Sequence, residues 1–395
     1  MKVGILGGGQ LGVMLAEALE RLSVDFALYD PDPVAPAKQR WPQHTTTGSW
    51  DDLEGLAIFF ETSTVITYES ENVLTAPFHA LDVADRVFPA LDVLETVQDR
   101  IREKTFLSRN KLPHVAFRAL KDIADLPHVA PEFGYPFIVK SARGGYDGKG
   151  QYRIENEAQL KTLPPLQAGV AGWWVIEEIV DIALEVSCIV GRNRNDEEVT
   201  FPLFENLHRN HILDLSSTPA RIPDELSKAI EEVALNAARV MGVQGILTVE
   251  FFITRNPGVM NTMRQCGEWY FGVNEFAPRP HNSGHVTRAA TQYSQFDILA
   301  RILTNRSLEK PQFVDRHFYC MGQLLGEVWL AQQRQELDIR LVKTSPEVVE
   351  LMDYGKKAIR AQRKMGHYIV KGDTIDDALD KAIAFRARLS QPVQE

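Results

Sequence analysis

The opening thirty residues constrain the fold most. Residues 2–6, Lys-Val-Gly-Ile-Leu, are an apolar run that meets the glycine turn Gly7-Gly-Gly-Gln-Leu-Gly12. Residues 10–22 carry apolar side chains at helical spacing, and residues 25–29 form a second apolar run closed by Asp30. Strand, glycine turn, helix and strand is how an open parallel sheet begins, because parallel neighbours need a crossover. Residues 64–67 supply a third strand, ending at Tyr68 and Glu69. Ligands of such sheets sit at the carboxyl ends of the strands, where residues 7–12 and 69–72 would both lie. Gly7-x-Gly9-x-x-Gly12 followed by Asp30 also has the form of a dinucleotide fingerprint, so a nicotinamide oxidoreductase stays open at this point. The amides that start the helix attract a phosphate or another anionic group.

Helical sequence over residues 91–109 leads out of this first unit. Strands are expected at 137–140, 173–177, 184–190 and 246–253, with a weaker one ending near Val273. Residues 224–241 predict a helix, with Leu226, Ile230, Val233, Ala237 and Val240 on one face. Residues 296–303 look helical; the tail offers one strand-like run, 317–325, and an amphipathic helix, 375–389. Prolines 113 and 311 mark linkers. The expected organisation is α/β: a parallel-sheet domain over 1–100, a second domain over 101–310 with a lid at about 113–175, and a small β-rich domain over 311–395.

At 395 residues the chain is long enough for two or three domains. Its net charge of −10 argues against a general nucleic-acid binder, which needs a basic face. Cys188, Cys266 and Cys320 are too widely spaced for a metal knuckle or a disulfide framework, and a reducing compartment fits them. No apolar run is long enough to span a bilayer, and the start lacks the layout of a signal peptide. A cytoplasmic enzyme without membrane or nucleic-acid partners is the expectation.

Chemistry concentrates in Asn274-Glu-Phe-Ala-Pro-Arg-Pro-His-Asn-Ser-Gly-His285, where two prolines forbid a regular helix. Glu275 can bind a hard divalent cation. Arg279, His281 and Asn282 can together hold a small planar oxyanion, the arginine by its bidentate fork. Glu250 lies inside the apolar run Thr248-Val-Glu-Phe-Phe, where an unpaired carboxylate would be costly, so it needs either a basic partner or a metal. With Glu275, and Asn274 alongside, it suits magnesium, which takes one or two carboxylates together with phosphate oxygens. Lys140 ends a strand just before the glycine-rich residues 144–150, whose amides can fold over nucleotide phosphates while the lysine reaches them as a point charge.

These blocks together resemble the ATP-grasp enzymes that make 5-(carboxyamino)imidazole ribonucleotide. The resemblance rests on Gly7 to Gly12, Tyr68-Glu-Ser-Glu-Asn-Val73, Lys140 with Gly144-Gly-Tyr-Asp-Gly-Lys-Gly-Gln151, Glu205-Asn-Leu-His-Arg209, Asn274 to His285, and Arg363-Lys-Met-Gly-His367. It implies an ATP-grasp fold, ATP and magnesium (or manganese), bicarbonate and aminoimidazole ribonucleotide as small-molecule substrates, and a homodimer. It implies ATP contacts from Arg100, Lys140, Gly145, Gly148, Gln151, the hinge residues Glu177, Glu178 and Val180, the ribose-binding acid Glu185, Asn274 and Glu275. Arg279, His281 and Asn282 would hold bicarbonate, with Tyr146 and Asp147 facing the amine. Gln10, Leu11, Glu71, Asn72, Lys356, Arg363 and Lys364 would hold the ribonucleotide. Rival readings are a ligase of the formate-dependent glycinamide ribonucleotide transformylase type and a non-catalytic nucleotide-binding paralogue.

The sequence departs from the family pattern in three places. A longer insert, residues 255–272, separates Glu250 from Glu275; it either extends a hairpin or shifts one ligand against the other. His211 stands where glycine is usual, and Ala361-Gln362 replace Pro-Gly.

Overall fold

The structure is a computed structural model, and it describes residues 1–144, 150–161, 173–332, 337 and 345–391. Strands β1 (Lys2–Leu6), β2 (Asp25–Asp30), β3 (Thr45–Thr47) and β4 (Val65–Tyr68) form a parallel sheet in the order β3-β2-β1-β4. Val3, Ile5 and Leu6 are fully buried, as expected of a parallel strand covered on both faces. The helix Gln10–Arg21 turns Leu11, Met14, Leu15, Ala18 and Leu19 inward.

The glycine turn is filled from within. Glu69 follows β4 and aims its carboxylate into the turn, accepting from the amides of Gly9 (2.7 Å) and Gly12. Asp30 accepts from the Gly8 amide at 2.6 Å. A Cβ at Gly7 or Gly9 would fall on the Glu69 side chain, and one at Gly12 on the Gly7 carbonyl. The amides expected to attract a phosphate are thus already bonded to the chain's own carboxylates. The fingerprint spacing follows from the room that Glu69 takes up.

A lid sheet follows, with antiparallel order β5 (Phe117–Leu120), β8 (Trp174–Glu178), β6 (Phe137–Ser141), β7 (Gln151–Ile154). Its core holds Phe133, Phe137, Val139 and Trp174. The expected loop residues Gly145, Tyr146, Asp147 and Gly148 lie outside the described residues.

The remaining strands make one large sheet. Its path is β14 (Arg264–Cys266), β15 (Trp269–Ala277), β13 (Gly245–Thr254), β9 (Leu184–Arg192), β11 (Phe204–Arg209), β12 (Ile212–Thr218), β16 (Phe318–Leu325), β18 (Lys364–Gly372), β17 (Val348–Asp353), with β10 (Glu198–Thr200) on β9. The tail therefore continues the sheet of the middle region through the β12–β16 pairing. Asn210 and His211, both at positive φ, make the tight turn between β11 and β12, a position that explains the glycine usual there. Gln362 also adopts positive φ.

Two expectations change. The helical stretch 91–109 is two helices, Leu91–Val97 and Arg100–Arg109, because Asp99 leaves helical conformation and caps the second through the amides of Ile101 and Arg102. Asn274 and Glu275 belong to β15 rather than to a loop, which begins only at Pro278. Among the described residues no helix is long and apolar enough to cross a membrane.

Gly12 gives a test of the filled turn. Glycine to alanine inside a helix ordinarily stabilises by about 0.5–1 kcal/mol. Here Gly12→Ala is expected to destabilise by about 1–3 kcal/mol, because the added methyl is forced onto the Gly7 carbonyl. Urea denaturation reads the sign directly.

Candidate active site

Strands β13 and β15 pair antiparallel, and their register sets Glu250 directly opposite Glu275. On β13, Val249, Phe251 and Ile253 point into the core beneath the helix Asp224–Val240, so Glu250 points to the other face. On β15, Phe271, Val273 and Phe276 join the same core. Phe271 and Val273 keep the two-residue strand period, but Val273 and Phe276 are an odd number apart. The phase shift comes from a β-bulge: Phe251 pairs Val273 while Glu250 pairs Glu275, leaving Asn274 as the extra residue. Without it Glu275 would share the core face of Val273; with it, Glu275 faces outward beside Glu250.

The long insert leaves this rung intact. Its second half, β14, folds back on β15 as a hairpin. Its first half reaches the lid: the Val259 amide donates to the Glu178 carboxylate, and Met263 packs with Val115 and Val180. The extra residues extend outward and do not move one glutamate past the other.

Glu250 is paired: His281 Nε2 lies 2.8 Å from its Oε1. Burial opposes its charge, but His281 outweighs that and holds the carboxyl well below its ordinary range. The Glu275 side chain is solvent-accessible, yet its carboxyl moves the opposite way, raised by the protein packed around it and by the charge of Glu250 across the rung. Among the described residues no hydrogen bond or ion pair reaches the Glu275 carboxylate. Nor do three or more His, Cys, Asp or Glu side chains among them cluster into a protein-only metal site. Two facing carboxylates, one of them unpaired, fit a magnesium ion whose other ligands come from phosphates and water.

The loop after β15 carries the expected oxyanion residues. Arg279 turns its fork onto Glu71, with Nη2 2.9 Å from Oε1 and Nε on Oε2. Burial raises the Glu71 carboxyl, but the guanidinium prevails and holds it at about 2. His281 Nδ1 lies 2.9 Å from Ser283 Oγ. The Asn282 Oδ1 atom is inaccessible and has no hydrogen-bond partner among the described residues. Arg279 and His281 are thus held by Glu71 and Glu250, so the anion cage is closed by carboxylates.

On the nucleotide side, Lys140 Nζ bonds Glu177 at 2.7 Å, and Arg100 Nη1 donates to the Ser141 carbonyl at 2.9 Å. The charges of Arg100 and Lys140 also act on Glu275. Gln151 starts β7 opposite Lys140. The side chains of Glu177 and Glu178 are both engaged, and Val180 is buried, so this hinge offers a ligand its backbone. Glu185 pairs with His208 Nδ1 at 2.9 Å.

A cavity of about 270 Å³ opens between the first unit and the tail, lined by Gln10, Gln39, Arg40, Tyr354 and Gly355 among others. Gln39 Nε2 ties the two sides together on the Gly355 carbonyl at 3.0 Å. Next to it, burial and the nearby Arg363 bring Lys356 down to about 8. Its Nζ donates to the Lys364 carbonyl at 2.9 Å. Arg363 Nη1 donates to the Ala358 carbonyl at 2.7 Å. Asn72 is exposed beside Glu71. Leu11 differs from expectation: its side chain is in the core, leaving only its backbone for a ligand.

Sequence reading passed over His208, Glu69, Glu103 and Lys104 as site residues. His208 stands in the block Glu205 to Arg209, and its charge is favoured by Glu185 and by Glu250 despite burial. Glu103 and Lys104 are adjacent, ionisable and almost wholly buried. Only their place in the helix Arg100–Arg109, beside Leu107, hinted at this.

Three family models match in succession: a ribonucleotide synthetase preATP-grasp domain over residues 1–98, an ATP-grasp domain over 105–296, and the phosphoribosylaminoimidazole carboxylase C-terminal domain over 320–381. The N5-carboxyaminoimidazole ribonucleotide synthase of Staphylococcus haemolyticus (strain JCSC1435) is 35% identical over 383 residues, 95% of this chain and 94% of that one. The bifunctional purine synthesis protein purC/E of Dictyostelium discoideum is 34% identical over 372 residues; the match takes in 92% of this chain but 36% of that longer protein. Among solved structures, the ADP complex of purK, N5-carboxyaminoimidazole ribonucleotide synthetase, superposes with a TM-score of 0.86 at 33% identity, covering 99% of this chain and 97% of that one. The Aspergillus clavatus N5-carboxyaminoimidazole synthase in complex with ADP and 5-aminoimidazole ribonucleotide gives 0.82 at 26% identity, with 98% of each chain covered. Sequence, domain order and fold agree from end to end, and the chain belongs to the N5-carboxyaminoimidazole ribonucleotide synthase family of ATP-grasp enzymes.

Proposed function

We propose that this chain carboxylates the exocyclic amine of 5-aminoimidazole ribonucleotide, using ATP and bicarbonate and yielding 5-(carboxyamino)imidazole ribonucleotide, ADP and phosphate in de novo purine biosynthesis. The observation that carries this reading is the Glu250–Glu275 rung with Arg279 and His281 in the loop that follows it. A homodimer is part of the reading on the resemblance alone, and a cytoplasmic location on the widely spaced cysteines.

Adenine lies against the backbone of Glu178 and Val180, and ribose against Glu185. Lys140, Arg100 and Gln151 face the phosphates, with Gly145 and Gly148 folding over them. Glu250 and Glu275, with Asn274 beside them, would hold magnesium or manganese, which neutralises phosphate charge when bound. With Glu250 so engaged, its bond to His281 would open. The freed imidazole joins Arg279 and Asn282 in holding bicarbonate in line with the terminal phosphorus. A bicarbonate oxygen bonds to that phosphorus as its bond to the bridging oxygen of ADP breaks, giving carboxyphosphate. Positioning and charge neutralisation supply most of such catalysis. Loss of phosphate leaves carbon dioxide, whose carbon the amine attacks, and the nitrogen then gives up a proton to the departing phosphate. Gln10, Glu71, Asn72, Lys356, Arg363, Lys364 and the Leu11 backbone place the ribonucleotide, with Tyr146 and Asp147 toward its amine. A closed site keeps water from the labile intermediate.

Phosphate release is expected only when bicarbonate and the ribonucleotide are both present. Formate replacing bicarbonate, or release independent of the ribonucleotide, would overturn the assignment. Glu275→Gln should lower release by on the order of 100-fold, the upper range seen when groups supporting a metal are lost.

Lys356 yields a pH prediction. Its pKa of about 8 means that the ammonium is present below pH 8 and lost as pH rises through it. The KM for the ribonucleotide should therefore climb above pH 8 while the KM for ATP does not follow. Lys356→Met should raise the ribonucleotide KM at neutral pH and flatten its pH dependence.

A further inference from the structure

The bulge at Asn274 decides which way Glu275 points, and a bulge frees backbone groups from the ladder. Freed groups inside a protein need other partners. Here the partners are two ionisable side chains that the proposed chemistry does not use. Lys104 Nζ donates to the Asn274 carbonyl at 2.9 Å. The Phe276 amide donates to Glu103 Oε1 at 2.7 Å. Both side chains come from the helix Arg100–Arg109, and they are 2% and 3% exposed, respectively. The helix is itself pressed on β15 by an edge-on contact between Phe106 and Phe276, with ring centroids 6.2 Å apart. Lys104 also lies 3.6 Å from Glu177, the carboxylate that holds Lys140 on the lid sheet.

Burying two ionisable groups is costly unless each is well bonded. A core packed with leucine would avoid that cost, but it could not satisfy the carbonyl of residue 274 or the amide of residue 276. We propose that Glu103 and Lys104 are positioning residues, a clamp that fixes the Asn274 bulge, presents Glu275 to the nucleotide-bound cation and ties that bulge to the Lys140–Glu177 pair. The inference rests on the cation role given to Glu275 above. The Phe276 amide needs only an oxygen acceptor at this position, so a neutral one also serves.

The test is Mn²⁺ binding to the ADP complex of the full chain, followed by electron paramagnetic resonance, beside the ribonucleotide KM and the melting temperature. Glu103→Leu and Lys104→Met should each weaken Mn²⁺ binding about tenfold, as loss of groups supporting a ligand does. The ribonucleotide KM should stay put, and Glu103→Gln should restore wild-type Mn²⁺ affinity because its amide oxygen still accepts from Phe276. Glu103→Asp keeps the carboxyl group but withdraws it by one methylene; it should show the same loss as Glu103→Leu, and stands in if the larger changes prevent folding. Lower melting temperatures with unchanged Mn²⁺ affinity would overturn the clamp. Glu275→Gln separates the two layers. If it too leaves Mn²⁺ affinity unchanged, the cation role itself fails; if it alone weakens binding, the clamp fails and the cation role stands.

Discussion

Two carboxylates face each other across one rung of a ladder, Glu250 buried and Glu275 open to solvent, and much of the site is arranged to make that tolerable. The two repel: the protein packed around Glu275 and the charge of Glu250 raise the Glu275 carboxyl, while His281 holds Glu250 low. The chain answers with His281 bonded to Glu250, and with the positive charges of Arg100 and Lys140 close enough to act on Glu275. A divalent ion delivered with a nucleotide would satisfy the rung better than any of these. On this account the resting pairs Glu250–His281 and Glu71–Arg279 are place-holders. They keep an imidazole and a guanidinium ordered until phosphate-bound metal and a small acid take over their partners.

The same logic runs through the first unit. A glycine turn at the head of a helix normally signals an external anion. Here Glu69 enters from the neighbouring strand and Asp30 from the next, and the helix-start amides bind them. The glycines make room for Glu69, whose charge in turn acts on Lys356. The cavity lined by Gln10 and Tyr354 thus lies beside a turn that is electrostatically complete; on the proposed reading, ribonucleotide recognition falls to Gln10 and the Lys356 region.

Local patterns in the sequence carried the parallel sheet, the helix Asp224–Val240 and the strand holding Glu250, because each has a period or an apolar run long enough to see. Two tail strands were not visible. In β18 the run Met365 to Val370 is buried on both faces and shows no alternation, and β17 is interrupted by a register shift after Val348. The motif residues Glu250, Glu275, Arg279 and His281 were legible as a group, since chemistry crowds them into two short segments. Their pairings were not: Arg279 meets Glu71 across more than two hundred positions of sequence. The clamp was hidden for the same reason. Glu103 and Lys104 read as an ordinary charged helix face until the fold buries them against β15, and the bulge that they hold leaves no mark in composition.

The most direct measurement is a crystal structure with ADP and Mn²⁺, read by anomalous scattering. The account predicts a metal peak between the Glu250 and Glu275 carboxylates and the ADP phosphates, with His281 turned away from Glu250 toward the Arg279 side. A peak on the phosphates alone, with the Glu250–His281 pair still closed, would contradict it.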